Sequence, residues 1–457
     1  MLATRITAKD TGSGLDRPPA FVNFFQYPPL RAVGRHEADA WAQTVDLSTP
    51  LPECQVFTVF VSIPYCLGRC YSCSYFKAAL PQSADRRMLL DEYLACVDIE
   101  ACQYADTGRF ALARCGAAYF GGGTASLLEA DQVGHLVATL ADSFHVGRDT
   151  EVTLEANPHQ LTPEYLQQVR ELGVNRLSIG FQSRNEHLLR AINSPHTAVE
   201  GLLGLELAMA TPFRTVNVDL LYRLPGQTFQ EWEEEVNSLI ALGPQGITTY
   251  EYIIHPRTRA EHMLAAGSLP QPPDKDTAHN WYSWARDQLT DHGYVEHRKG
   301  SFARPGHEQQ YGALSYDQGC ESLGLGAGAY SFVDRFQFKT PDNPDAYRSL
   351  VGEDFFPAAD RVSVRATDQH LMERYVIFSF FSSVLDRQAF GCRFGVDPLD
   401  VFPDAFSRLR EGGLLDITAR HIILAEAGVK QRNTVFYQFY APEFRLGEFG
   451  AHIGSSR

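Results

Sequence analysis

Six apolar, β-branched runs alternate with helical patterns between residues 56 and 289, and that alternation restricts the fold more than any other feature. The runs are Val56–Ile63, Ala117–Phe120, Glu151–Glu155, Arg176–Phe181, Thr215–Tyr222 and Ile247–Ile254. Helical periodicity fills the gaps at Asp91–Tyr104, Asp131–Ser143, Pro163–Leu172, Ala198–Met209, Phe229–Leu242 and Thr277–Leu289. Strand–helix alternation at this spacing demands a parallel sheet with right-handed crossovers. Six such units predict an α/β fold, a partial (β/α)6 barrel. Polar and glycine residues gather just after the strands, at Cys66–Cys73, Gly121–Thr124, Asn157–Pro158, Gln182–Ser183, Pro225–Gly226 and His255–Pro256. In such folds the site lies at the C-terminal ends of the strands, so these segments share one rim.

The barrel is expected over residues 51–345. Residues 1–50 are rich in proline and aromatics and read as an N-terminal arm. Residues 346–457 read as a smaller, mostly helical domain. In it Ala366–Leu385 forms one long helix, followed by Phe402–Gly412 and a hairpin over Leu415–Leu424. No apolar run reaches the roughly 18 residues of a membrane span. Met1–Pro18 lacks the apolar stretch of a secretory signal. A cytoplasmic protein with no membrane partner is expected. The net charge of −15 disfavours a nucleic-acid partner, because phosphate neutralisation needs a basic face. A small-molecule substrate fits better.

Of 9 cysteines, three crowd into the loop after the first strand as C-x3-C-x2-C: Cys66, Cys70 and Cys73. The odd count and the expected compartment argue against a disulfide framework. Thiolates select zinc, copper(I) or iron–sulfur clusters. Structural zinc normally takes four ligands, often as two pairs, and no second pair is near. Three thiolates suit a cubane cluster with one iron open. Cys54, Cys96, Cys102, Cys115, Cys320 and Cys392 read as bystanders.

This motif resembles the signature of the radical S-adenosylmethionine (SAM) superfamily. Ile63-Pro64-Tyr65-Cys66 is similar to the opening of its HemN/HemW group, which contains oxygen-independent coproporphyrinogen dehydrogenases, haem chaperones and C-methyltransferases. The similarity continues through Gly121–Thr124, Glu155–Pro158, Arg176–Ser183, Asn217–Leu220, Leu224–Gln227 and Leu323–Ala329. The resemblance implies a [4Fe–4S] cluster on Cys66, Cys70 and Cys73 and two SAM molecules. It implies cofactor contacts at Phe60, Ser72, Gly122, Gly123, Thr124, Glu155, Gln182, Ser194, Asp219 and Tyr330. Free N–H groups at Gly121–Thr124, just before a helix, would favour a ligand carboxylate. Glu155 closes a strand that otherwise reads apolar, and it suits a ribose diol or an ammonium. The resemblance assigns no catalytic residue.

Several positions depart from these relatives. Tyr75 stands where the decarboxylating enzymes carry a fourth cysteine, and Phe60 and Ser62 stand where they have Tyr and His. The haem chaperones follow Arg-Pro-Gly-His-Glu with a segment bearing a haem-ligating His. Here Arg304–Glu308 is followed by Tyr311-Gly312-Ala313-Leu314-Ser315-Tyr316. Ser194 occupies the place of an Arg, with Arg184 and Arg190 as nearby substitutes. These departures favour a C-methyltransferase or cyclopropanase acting on an sp2 carbon of a secondary metabolite through a SAM methylene radical. The alternatives are a tetrapyrrole enzyme, such as a coproporphyrinogen III dehydrogenase or a haem-modifying enzyme, and a haem chaperone. Expected partners are a low-potential donor such as flavodoxin or ferredoxin, and a separate methyltransferase.

Overall fold

The computed structural model describes residues 15–16, 18, 26–30, 47–52, 55–75, 78–81, 85–352 and 362–445. Two compact units emerge. One comprises Val45–Asp334 with Lys339–Arg361; the other comprises Met1–Thr44, Arg335–Phe338 and Val362–Arg457. This grouping differs from the three stretches read in the sequence. Most of the expected arm lies outside the described residues, but its Tyr27 is buried and hydrogen-bonds to Glu373 and Ala441 of the second unit.

In the first unit the core strands are β1 (Val56–Ile63), β2 (Arg114–Gly122), β3 (Glu151–Ala156), β4 (Arg176–Gln182), β5 (Thr215–Tyr222) and β6 (Gly246–Glu251). They pair in parallel in chain order. After them come β7 (Val295–Arg298), β8 (Ser301–Ala303), β9 (Ser322–Leu325) and β10 (Tyr330–Val333). The order within the unit is β10-β9-β1-β2-β3-β4-β5-β6-β8-β7. β9 runs parallel to β1, whereas β8 is antiparallel to β6. Ile247–Ile254 is shorter than expected, since β6 stops at Glu251.

The crossovers begin with α1 (Arg86–Ala105), α2 (Ala130–Phe144), α3 (Pro163–Glu171), α4 (Glu186–Ile192) and α5 (Ala198–Ala210). They continue with α6 (Phe229–Leu242), α7 (Arg259–Ala265) and α8 (Lys275–Asp291). Five start at a side chain that caps the first turn: Thr162, Thr197, Thr228, Thr258 and Asp274. Thr197 with Glu200, and Thr228 with Glu231, form reciprocal boxes that satisfy the orphan N–H groups of the first turn.

Alternate β1 residues face the helices. Phe57 packs on Phe110 and Phe144, at centroid distances of 4.9 and 5.5 Å. Val59, Val61 and Ile63 are fully buried beside it. Each such side chain contributes about 1.5–3 kcal/mol on burial. The opposite β1 face carries Thr58, Phe60 and Ser62. Burial raises the Tyr119 phenol on β2, and the Tyr250 phenol on β6 adds to that shift. Four strand spacings separate them, roughly 19 Å in a flat sheet, so the sheet curls into a partial barrel.

The second unit holds the helices Asp368–Ser379 and Pro403–Glu411 and a three-stranded sheet. The expected helix Ala366–Leu385 is corrected here. It begins after the Thr367 cap, ends at Ser379, and gives way to a 3-10 turn. Ser383 then adopts a left-handed backbone with φ 63°, which breaks helical continuation. Val384–Asp386 leaves as a strand paired antiparallel to His421–Leu424. That strand also pairs with Leu415–Ile417, so the hairpin recruits the end of the expected helix.

Candidate active site

Period-2 alternation points one face of every core strand into the barrel, and that face is polar. On β3 it carries Glu151, Thr153 and Glu155. The strand that reads as apolar up to Glu155 is therefore apolar only on its helix-facing side. On β4 the inward residues are Arg176, Ser178, Gly180 and Gln182; on β5 they are Thr215, Asn217 and Asp219. Hydrogen bonds knit the middle layer: Ser178 Oγ to Asp219 at 3.1 Å, Asn217 Nδ2 to Ser178 Oγ at 3.1 Å, and Thr248 Oγ1 to Asn217 Oδ1 at 3.2 Å.

The segment after β8 closes the N-terminal end of the strands. Glu151 accepts from the backbone N–H of Gln310 at 2.8 Å and of Tyr311 at 3.3 Å. Arg176 donates to the His307 carbonyl at 3.0 Å. Ala313–Asp317 forms a π-helical turn, a geometry frequent at functional sites. Tyr311 thereby joins Phe60 and Tyr119 in an aromatic floor. Phe60 stacks on Tyr119 at 5.8 Å, and Tyr311 lies 5.4 Å from Tyr119.

Above that floor sit the two acidic candidates. Glu155 accepts from Tyr119 Oη at 2.8 Å and from the Gly122 N–H at 3.3 Å. Burial raises its carboxyl above the ordinary range. Asp219 is pushed up to about 7, first by burial and then by the neighbouring Glu155 charge. The Tyr250 side is 52% exposed and Tyr75 is 64% exposed, yet desolvation raises both phenols. Thr248 faces inward to Asn217, and period-2 alternation puts Tyr250 on that same face of β6.

The thiol loop crosses the C-terminal mouth of the barrel. Cys66 ends the two-residue strand Tyr65–Cys66, which pairs with Ala78–Ala79. The Tyr71 N–H donates to the Ile192 carbonyl at 3.0 Å, and Asn193 Nδ2 donates to the Arg69 carbonyl at 2.9 Å. From α7, the Ala260 N–H donates to the Tyr71 carbonyl at 2.9 Å, while the Arg259 guanidinium lies 4.7 Å from the Tyr71 ring centroid. Thr124 Oγ1 is 3.6 Å from Cys66 Sγ. Burial pushes the Cys70 thiol up to about 11, with Cys73 and Cys66 adding to the shift. Three half-buried thiols that sense one another form a soft-donor set that a cationic cluster would hold as thiolates. Among the described residues no three His, Cys, Asp or Glu side chains converge on a single metal ion. Three soft donors suit an iron–sulfur cluster, and Cys66, Cys70 and Cys73 are the residues that would hold a [4Fe–4S] cluster.

The structure distributes the remaining candidates unevenly. Ser72 lies in the loop beside Tyr252. Tyr330 neighbours Tyr75 and stands 4.9 Å from the Lys339 ammonium. Gln182 has a left-handed backbone, φ 64°, at the rim. Gly122 has φ 106°, a conformation that favours glycine. The N–H groups expected to be free at Gly122, Gly123 and Thr124 are engaged, by Glu155, by the Ile63 carbonyl and by the Tyr65 carbonyl. That segment is a close-approach turn, followed by the 3-10 turn Ala125–Leu127 before α2. Ser194 Oγ pairs with His196 Nδ1 at 3.2 Å, and His196 Nε2 donates to the Phe181 carbonyl at 3.0 Å. Neither nearby guanidinium fills the place of the missing Arg: Arg190 pairs with Glu186 at 3.0 Å and Arg184 is exposed. Cys96, Cys102, Cys115, Cys320 and Cys392 form no disulfide among the described residues; Cys54 lies outside the described residues. Sequence reading missed the inward tyrosines and Glu235, although Thr-x-Asn-x-Asp on β5 carries the period-2 signal.

A thiol loop over a polar barrel chamber defines a class, and the comparisons agree with it. Residues 60–239 match the radical SAM superfamily model. The similarities to known proteins fall in the HemN-like radical SAM group. The haem chaperone HemW of Bacillus subtilis is 27% identical over 384 residues, covering 84% of this chain and 98% of that protein. HemW of Escherichia coli is 28% identical over 276 residues, covering 60% and 70%. The solved structure of coproporphyrinogen III oxidase, HemN, from Escherichia coli superposes with a TM-score of 0.75 at 23% identity, covering 91% of this chain and 96% of that one. That likeness establishes the fold. The radical SAM match implies a [4Fe–4S] cluster and SAM. Among the described residues no helix is long and apolar enough to cross a membrane.

Proposed function

We propose that this chain is a radical SAM enzyme that confines SAM and a small molecule in the barrel chamber beneath its thiol loop. The observation that carries the reading is the position of Cys66, Cys70 and Cys73, pinned by α4 and α7 across the strand ends that bear Glu155 and Asp219. When bound, the cluster and SAM supply a 5′-deoxyadenosyl radical able to take hydrogen from carbon, while the protein supplies orientation and exclusion of water. Ile192, Asn193 and Ala260 hold the loop. Glu155 and Asp219 offer acceptors to an ammonium or a ribose diol. A low-potential donor such as flavodoxin or ferredoxin would deliver the electron.

The finer reading is methylation or cyclopropanation of an sp2 carbon with a second SAM. Phe60, Ser62 and Tyr75 support it, since they replace the polar and thiol groups of decarboxylating relatives. The floor of Phe60, Tyr119 and Tyr311 presents ring faces and edges suited to an unsaturated or aromatic guest. A tetrapyrrole or haem-handling role is the second reading. It is supported by the haem chaperones among the relatives and is weakened by the absence of histidine in the segment 309–317. Methyl-deuterated SAM separates the two. Deuterium in the 5′-deoxyadenosine supports methyl transfer, and its absence ends that reading. A one-to-one haem or porphyrin titration supports the second reading, and no spectral change removes it.

A further inference from the structure

Glu235 lies on α6, outside every motif that sequence analysis singled out, and its side chain is fully buried. It accepts four hydrogen bonds and donates none. Oε1 takes Ser183 Oγ, the Arg184 N–H at 3.2 Å and Asn185 Nδ2 at 3.0 Å. Oε2 takes Gln227 Nε2 at 3.2 Å. The first three donors belong to the loop after β4, and the last belongs to the loop after β5. Both loops stand at the rim of the chamber.

Each connection continues toward the site. Ser183 directly follows Gln182, whose left-handed backbone a non-glycine residue holds only when its surroundings impose it. The Ser183 N–H closes back on the Phe181 carbonyl at 2.7 Å, so docking Ser183 on Glu235 fixes the turn at Gln182. Gln227 in turn uses its Oε1 to accept the Leu224 N–H at 3.0 Å. Leu224 packs with Leu188, Ile192 and Tyr252, and the Ile192 carbonyl holds the thiol loop through Tyr71.

We propose that Glu235 is a positioning residue that locks the two rim loops together, fixing Gln182 for SAM and supporting the thiol loop through Leu224 and Ile192. This rests on the reading of the chamber as a SAM site. The geometry makes the carboxylate hard to replace even by its amide. In Glu235→Gln, one end still accepts from the β4 loop, but the new NH2 faces the NH2 of Gln227. Turning the Gln227 amide relieves that clash only by withdrawing the acceptor from Leu224. A buried carboxylate, however, costs stability by desolvation, so the amide should not lower the melting temperature.

The test is calorimetric titration of the reconstituted protein with S-adenosylhomocysteine, alongside thermal unfolding. E235Q should weaken binding roughly tenfold, as loss of a supporting shell does, with the melting temperature unchanged or raised. Ser183→Ala, which removes one donor and leaves the carboxylate, should weaken binding by a smaller factor. Unchanged affinity in both variants overturns the proposal. If E235Q does not fold, Ser183→Ala decides: weakened binding at a wild-type melting temperature supports the lock, and unchanged affinity overturns it, leaving Glu235 a structural residue. Gln182→Ala separates the two levels. If it leaves affinity unchanged, the SAM reading of this rim fails. If it weakens binding while E235Q does not, only the lock fails.

Discussion

Replacing Gly123 by Ala should loosen the first cluster thiol from the barrel. A Cβ at position 123 would lie 2.5 Å from the Tyr65 carbonyl oxygen and 2.8 Å from that of Ile63. Both are backbone atoms, so no side chain can swing away. The turn must open by about half an ångström or more, and such overpacking costs about 1–3 kcal/mol. The opening stretches two bonds that close the turn, Gly123 N–H to Ile63 at 2.8 Å and Thr124 N–H to Tyr65 at 2.9 Å. Each contributes about 1 kcal/mol, and only part of that is lost. A total of about 2–4 kcal/mol corresponds to a fall of roughly 5–10 °C in melting temperature. Because Tyr65 is paired with that turn and precedes Cys66, iron and sulfide per chain after anaerobic reconstitution should fall as well. Gly68→Ala is the control, since its Cβ meets nothing within 4 Å. Wild-type melting temperature and iron content in Gly123→Ala would refute the reasoning.

Cys70→Ser should abolish the iron–sulfur absorbance while keeping the far-ultraviolet dichroism, because the loop is also pinned by Ile192, Asn193 and Ala260. Asp219→Asn should flatten the pH dependence of stability. The folded-state pKa of Asp219 is raised from 3.8 to about 7, so its contribution is fully present below about pH 4 and is lost as pH rises through 7. Thermal unfolding between pH 4 and 8 should show a smaller decline in the variant than in the parent. Thr228→Ala removes the acceptor of the Glu231 N–H in the α6 box and should cost about 1 kcal/mol, read as a shift in denaturant midpoint.

The strand–helix alternation is legible because outward faces such as Val59, Val61 and Ile63 are continuously apolar. The thiol loop is legible because three thiols within eight residues have few other uses. The polar inward face escaped because Glu151, Thr153 and Glu155 alternate with apolar residues, and a strand in a barrel mixes both faces in one run. Glu235 escaped because a Glu on an amphipathic helix looks solvated; only the folded loops bring Ser183, Asn185 and Gln227 to it. The break at Ser383 escaped because the pairing that ends the helix is with His421–Leu424, far along the chain. The engaged N–H groups of Gly122 to Thr124 depend on the Glu155 carboxylate of β3 and on carbonyls of β1 and its continuation, which no local pattern reveals.

The most direct measurement is 5′-deoxyadenosine release from SAM by anaerobically reconstituted protein under a low-potential reductant, with iron and zinc measured on the same sample. A radical SAM enzyme predicts a cluster of about four irons per chain and 5′-deoxyadenosine that disappears when Cys66, Cys70 or Cys73 is replaced by Ser. Zinc in place of iron, with SAM recovered intact, would contradict it.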